Sequence, residues 1–160
     1  MKPDSIKEED KIKFKKLLKS ICLDILEKRV EAAEFVMKQA QDSANNEDKS
    51  SAGDKYETGR AMGQNDRDMN ARQVNEAKRE LQLVEAVQVD KIYDSFIPGA
   101  VAVCDQQVYF MATGLGSTEM DHKKIILLSP QAPLSSVMLY KKRGDKIIFN
   151  DKEFILSEVY

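Results

Sequence analysis

The sequence predicts an α+β protein, with a long antiparallel coiled-coil hairpin over residues 1–95 and a small antiparallel β-rich domain over residues 96–160. Three observations predict it. Residues 6–44 contain neither proline nor glycine and repeat apolar residues at helical intervals. Residues 55–92 do the same without proline, after a polar gap rich in turn formers at 42–53. At Phe96-Ile97-Pro98-Gly99 the composition changes: 18 basic and 20 acidic residues precede it, and 7 of each follow.

In chain order, Ser5 with Glu8 three residues on has capping-box spacing and opens the first helix. Phe14, Leu18, Ile21, Ile25, Ala32, Val36 and Ala40 trace its apolar stripe, flanked by Leu17, Cys22 and Phe35. About 38 residues at ~1.5 Å each make a helix about 55 Å long. The second helix presents Met62, Met69, Val74, Ala77, Leu81, Val84 and Val87, sparse at its start and denser toward its end. Two helices of matching length with a short connection form an αα-hairpin, and narrow stripes suit a two-helix coiled coil. The alternative is half of a four-helix bundle completed by a second copy.

The last third carries strand signals. Residues 100–104 and 107–113 pair across Asp105-Gln106, and Ile-Ile-Leu-Leu within 124–129 is a buried strand. Pro133 opens a short helix to about Lys141. Residues 147–149 and 153–159 pair across Asn150-Asp151, a two-residue hairpin signal. About sixty residues is near the lower limit for independent folding.

Composition narrows the function. Net charge is −2, which provides no global basic field for nucleic acid. Cys22 and Cys104 have no metal-type spacing and are expected as reduced, packed thiols. No apolar run approaches membrane-spanning length, so a soluble, cytoplasmic, monomeric protein without membrane partners is expected. His122 is the only histidine, so partners for Cys-His or Ser-His-Asp chemistry are barely supplied, and a condensing enzyme that needs two histidines is excluded by count. Gly114-Leu115-Gly116 lacks the third glycine of a dinucleotide fingerprint and reads as a loop.

That leaves the acidic tip near residues 45–57. Residues 42–57 hold five acids and two lysines. Asp54 and Glu57 have capping-box spacing, with Asp54 as the N-cap, and acids there complement the helix dipole. Two carboxylates on a narrow tip also suit sharing a divalent cation with another macromolecule's site.

Three features together resemble the bacterial transcript cleavage factors of the GreA/GreB type, over nearly the full length. They are the coiled coil followed by a β-rich domain, Gly53-Asp54-Lys55-Tyr56-Glu57 at the second helix's start, and Ala132-Pro133-Leu134-Ser135…Met138-Leu139-Tyr140-Lys141-Lys142-Arg143-Gly144-Asp145-Lys146-Ile147. The resemblance implies an FKBP-like domain that docks at the secondary channel of RNA polymerase, with Pro133 and Leu134 in the docking segment. It implies that Asp54 and Glu57 act near the RNA 3′ end and share Mg²⁺ with the polymerase active site, with no cofactor stably bound. The polymerase, not the factor, would be the enzyme, hydrolysing backtracked RNA. Thr58-Gly59-Arg60-Ala61 departs from the family's Asn-Ala-Glu-Tyr, and Ser135 and Tyr140 replace two of its glycines. A channel-binding regulator without cleavage activity and a coiled-coil adaptor are the rival readings.

Overall fold

The computed structural model describes the backbone of residues 6–47 and 53–160, and the side chains of 6–46 and 62–160. The fold is α+β. Helix α1 spans Glu8–Glu47 and α2 spans Gly53–Glu85. Seven strands follow: β1 (Val101–Cys104), β2 (Gln107–Met111), β3 (Gly116–Met120), β4 (Lys123–Leu128), β5 (Lys146–Phe149), β6 (Lys152–Ile155) and β7 (Glu158–Val159). Helix α3, Pro133–Met138, lies between β4 and β5. Two compact units result, one of Met1–Leu23 with Leu83–Tyr160, the other of Asp24–Gln82.

In the second unit the helices run antiparallel. Arg29 lies 3.9 Å from Glu80, Lys78 bonds Glu34 at 2.9 Å, and a Cβ on Gly63 would sit 3.9 Å from that of Ala44. The more buried positions on α2 are Gly63, Arg67, Asn70, Val74, Ala77 and Leu81, continuing to Val84, an alternating four–three spacing. This is a heptad seam. On α1 the matching positions are Leu26, Val30, Ala33, Met37, Ala40 and Ala44. The expected stripe is therefore off by about one residue toward the end of the hairpin. Ala32, Phe35, Val36, Met62 and Met69 are exposed. The seam there is built of small or polar residues, and the larger apolar side chains face outward. Size misled the reading where spacing was the better guide.

In the first unit a five-stranded sheet has the order β3-β4-β2-β1-β7. It is antiparallel except for one parallel pair, β2 with β4. On one face Ala102, Tyr109, Met111 and Leu128 pack with Met138 of α3, Ile147 of β5 and Phe96. The separate β5–β6 hairpin closes this side, with Phe154 stacked on Tyr109 at 6.0 Å between centroids. On the other face Val108 and Ile125 meet Phe14 in the first turns of α1. The small domain thus draws on α1 for part of its core.

Several local expectations change. The residues following Ser5 are not yet helical: the Lys7 carbonyl takes the first bond, from Lys11 N–H at 3.1 Å, so α1 starts two residues late. The segment 153–159 divides into β6 and β7, which join different sheets. Strand β3 forms where the sequence carries no strand signal, because it is polar and half-exposed at a sheet edge. The two-residue turns at Asp121-His122 and Asn150-Asp151 have positive φ at both positions, as type I′ hairpins require.

Helix α2 ends at Glu85, seven residues before the predicted Ile92. Lys19 Nζ donates to the carbonyls of Glu85 at 2.7 Å and Val87 at 2.8 Å, satisfying acceptors that a helix C-terminus leaves open. Lys15, wholly buried, donates to the Lys91 carbonyl and lies 4.4 Å from the Tyr93 ring centroid. Burial lowers the Lys15 pKa from 10.5 to about 8, against an opposing pull from Asp90.

The folded chain therefore releases this proton near pH 8, while the unfolded chain holds it to about 10.5. The unfolded state binds more protons in between, so this group makes stability rise with pH there. Cys22, pushed up to about 11 by burial, and Cys104, raised by burial too, oppose it as pH approaches 9, and the raised Tyr109 and Tyr160 oppose it further up. Urea melts at fixed temperature are expected to show that Lys15 makes the slope of stability against pH more positive between pH 8 and 9, by at most about 1.4 kcal/mol per pH unit for one proton. Lys15→Met should lower that slope; an unchanged slope contradicts the assignment.

Candidate functional site

The turn end of the hairpin is fixed by close helix approach. Small residues at Ala40, Ala44 and Gly63 let the backbones come together, and Arg67 Nε donates back to the Gly63 carbonyl at 3.4 Å. Helix α2 opens at Gly53, so Asp54 and Glu57 are its second and fifth residues. A separation of three places them on neighbouring positions of one helix face. Asp54 thus lies inside the first turn, not at the predicted N-cap one step outside it, a shift within the uncertainty of helix ends. Free N–H groups and the positive end of the dipole still favour acids at this position. Of the polar gap expected at residues 42–53, residues 42–47 instead continue α1 and Gly53 opens α2, while residues 48–52, and the side chains of Asp54, Glu57, Thr58 and Arg60, lie outside the described residues. Among the described residues no group of three or more His, Cys, Asp or Glu is placed to hold a metal ion.

Pro133 and Leu134 belong to the other compact unit. Pro133 is exposed at the first position of α3, where its missing N–H costs nothing. Leu134 is half-buried against the core around Met138, so packing accounts for it. The two positions where the sequence departs from the motif's glycines differ in kind. Ser135 is buried, and its hydroxyl donates to the Ser129 carbonyl, tying α3 to the end of β4. Tyr140 has φ +63 and is 69% exposed, with its N–H bonded to the Phe96 carbonyl at 2.9 Å. That left-handed conformation suits glycine, which explains a glycine preference there, and a bulky side chain adopts it at a cost.

Sequence reasoning missed Lys15, which sits three residues before Leu18 and so in line with the seam, but within a lysine-rich run that reads as solvated surface. It also missed a cavity of about 250 Å³ between α1 and the sheet, lined by Phe14, Val103, Val108 and Ile125 with the Lys11–Glu158 ion pair at its rim. Its lining includes no serine, cysteine or histidine, so it holds no Ser-His or Cys-His arrangement. His122 is exposed in the β3–β4 turn, and both cysteines are buried and unpaired. A buried thiol with its pKa raised is inert, which agrees with packing roles for both. No described helix is long and apolar enough to cross a membrane.

No family model and no curated protein matches the chain. Among solved structures, one described as the structure of the transcription factor Gfh1 aligns over 86% of this chain and 92% of that one, at 10% identity and a TM-score of 0.33. At that score the likeness carries no functional argument.

Proposed function

We propose that this chain is a Gre-like transcription elongation factor, which inserts its hairpin into the secondary channel of RNA polymerase and stimulates cleavage of backtracked RNA through Asp54 and Glu57. The observation that carries the reading is the position of the two acids, in the opening turns of α2, at the turn end of a paired hairpin whose 33-residue second helix is about 50 Å long. Small seam residues keep that end slender, which suits entry into a pore closed to a globular domain. The motif resemblance supplies the destination.

On this reading the factor is not itself an enzyme. Two carboxylates form too small a ligand set to hold Mg²⁺ tightly, so the ion is shared with the polymerase's own acids only while the tip is in place. Asp54 and Glu57 would help hold the shared ion, which would supply activation of the attacking water and charge stabilisation at the leaving oxygen. The β-rich unit, with Pro133 and Leu134 in its resembling segment, docks at the channel rim.

A channel regulator without cleavage activity is the second reading. It is favoured by Arg60, a cation where the family carries an acid.

A photo-crosslinking amino acid at Tyr56 separates both from the adaptor reading. With purified polymerase it is expected to crosslink to the catalytic subunit. Failure to crosslink, with the labelled chain folded, would reject channel entry under either mechanism.

A further inference from the structure

Toward its turn end the segment Asp24–Gln82 carries apolar residues outside its seam. Ala40, Ala44 and Gly63 hold seam positions there while Val36, Met62 and Met69 are 48%, 64% and 54% exposed. Small residues remove little apolar area from water, and most helical stability in proteins comes from such burial.

Val36, Met62 and Met69 share one flank, whereas Phe35 lies on the outer face of α1. Arg29 and Glu80 mark that flank, and Ile25, Ala32 and Val36 stand at three- and four-residue steps around Arg29. Met62, Met69 and Glu76 stand likewise around Glu80 and Asp66. Across the seam, the flank marked by Glu34 and Lys78 carries Glu27, Glu31, Lys38 and Gln41 on α1 and is polar. The first flank therefore sets Val36, Met62 and Met69 among charged residues and Gln39, Ser43 and Gln73, whereas the second is largely polar.

We infer that the first flank is a self-association surface, covered by the same flank of a second copy. The two hairpins lie parallel about a two-fold axis along their length, giving a four-helix arrangement. Charge selects both the occupant and the arrangement. On this flank α1 contributes a single cation, Arg29, whereas α2 contributes three acids, Asp66, Glu76 and Glu80.

Counting from the Ala44–Gly63 contact, Val36 is level with residue 71, within about 3 Å of Met69, and Arg29 is level with residue 78, between Glu76 and Glu80. A two-fold along the hairpin keeps levels and sets α1 on the second copy's α2. Val36 then meets Met69, and Arg29 meets Glu76 and Glu80, each contact occurring twice. A two-fold across the hairpin instead sets α2 on α2 and brings six acids together.

The flank is about 30 Å long and two helices, about 20 Å, wide. Roughly 600 Å² per copy falls short of the ~800 Å² of a standard stable interface, so the association is weak and reversible. It needs no polymerase and stands or falls apart from the function proposed above.

Sedimentation equilibrium of the full chain, from about 5 to about 500 µM, tests it. The mass is expected to rise from 18.1 kDa toward twice that value, with a midpoint in the tens of micromolar and weakening at high salt. The double variant Val36→Glu/Met69→Glu should raise the dissociation constant at least tenfold with unchanged far-ultraviolet circular dichroism, while Lys38→Glu on the polar flank leaves it alone. Arg29→Glu chains should associate poorly with themselves and regain association when mixed with Glu76→Lys chains. A mass fixed at 18.1 kDa throughout would hand the flank to a different partner and overturn the inference. So would association that the double variant leaves intact, or a mixture that restores nothing.

Discussion

Replacing Gly99 with alanine is expected to be among the most damaging single changes to this fold, lowering stability by about 3–5 kcal/mol. Gly99 has φ +92, and a Cβ there would sit 2.2 Å from the Gln88 carbonyl oxygen, with Val87 Cγ1 at 3.2 Å. The obstructing atom is backbone and cannot swing aside. Gln88 belongs to the connector whose carbonyls Lys15 and Lys19 hold, and Gly99 N–H is itself bonded to the Met111 carbonyl at 2.8 Å. Relief would therefore have to move either the end of α2 or the sheet.

Gly116→Ala and Gly144→Ala are the internal controls. Their φ values of +80 and +90 carry a similar backbone cost, but nothing lies within 4 Å of an added Cβ. These two are expected to lose about 1–2 kcal/mol each. Thermal melts check the contrast: Gly99→Ala should drop Tm by about 6 °C or more, at 2–4 °C per kcal/mol for a chain of this size. Equal losses at all three positions would show that the close approach at Gly99 is not what matters.

The second large effect is on activity. Asp54→Asn is expected to reduce factor-dependent RNA cleavage by about 10²-fold while helix content stays the same. Inside the first turn asparagine lacks the charge that favours aspartate, and that loss costs only about 0.3–1 kcal/mol. A neutral amide is a far poorer Mg²⁺ ligand than a carboxylate. Binding to polymerase should be nearly unaffected, so the loss falls on the rate of cleavage at saturating factor. Glu57→Gln should behave alike. A variant that cleaves at the wild-type rate would make the pair a helix-start feature alone.

The fold class was legible because helix and strand periods differ so clearly between the two parts of the chain. The seam of α2 from Val74 to Val84 was legible too, since apolar residues there coincide with heptad spacing. Toward the turn end they do not. Asn70 and Gly63 hold seam positions that sequence gives no reason to prefer over their apolar neighbours Met69 and Met62, and only the packing of the second helix reveals it.

The early end of α2 was hidden for a related reason. Lys15 and Lys19 stop it from outside, and a lysine-rich run on α1 shows nothing of where its ammonium groups will lie. β3 was lost because an edge strand needs only backbone pairing, so Ser117, Thr118 and Glu119 leave no apolar trace. The site divides similarly. Helix-start chemistry made Asp54 and Glu57 visible as a pair, and their place near the start of α2 agrees with it. Their role is visible only through the motif that contains them. Leu134 illustrates the converse, a motif residue whose contacts are those of a packed core.

The most direct measurement of the central claim uses polymerase halted in a defined backtracked register on a labelled transcript, with the wild-type chain added in excess. The account predicts release of a short 3′ fragment, faster than by polymerase alone, dependent on Mg²⁺, and absent when the chain is incubated with the RNA without polymerase. Cleavage no faster than the polymerase's own rate, in complexes to which the chain is shown to bind, would contradict it.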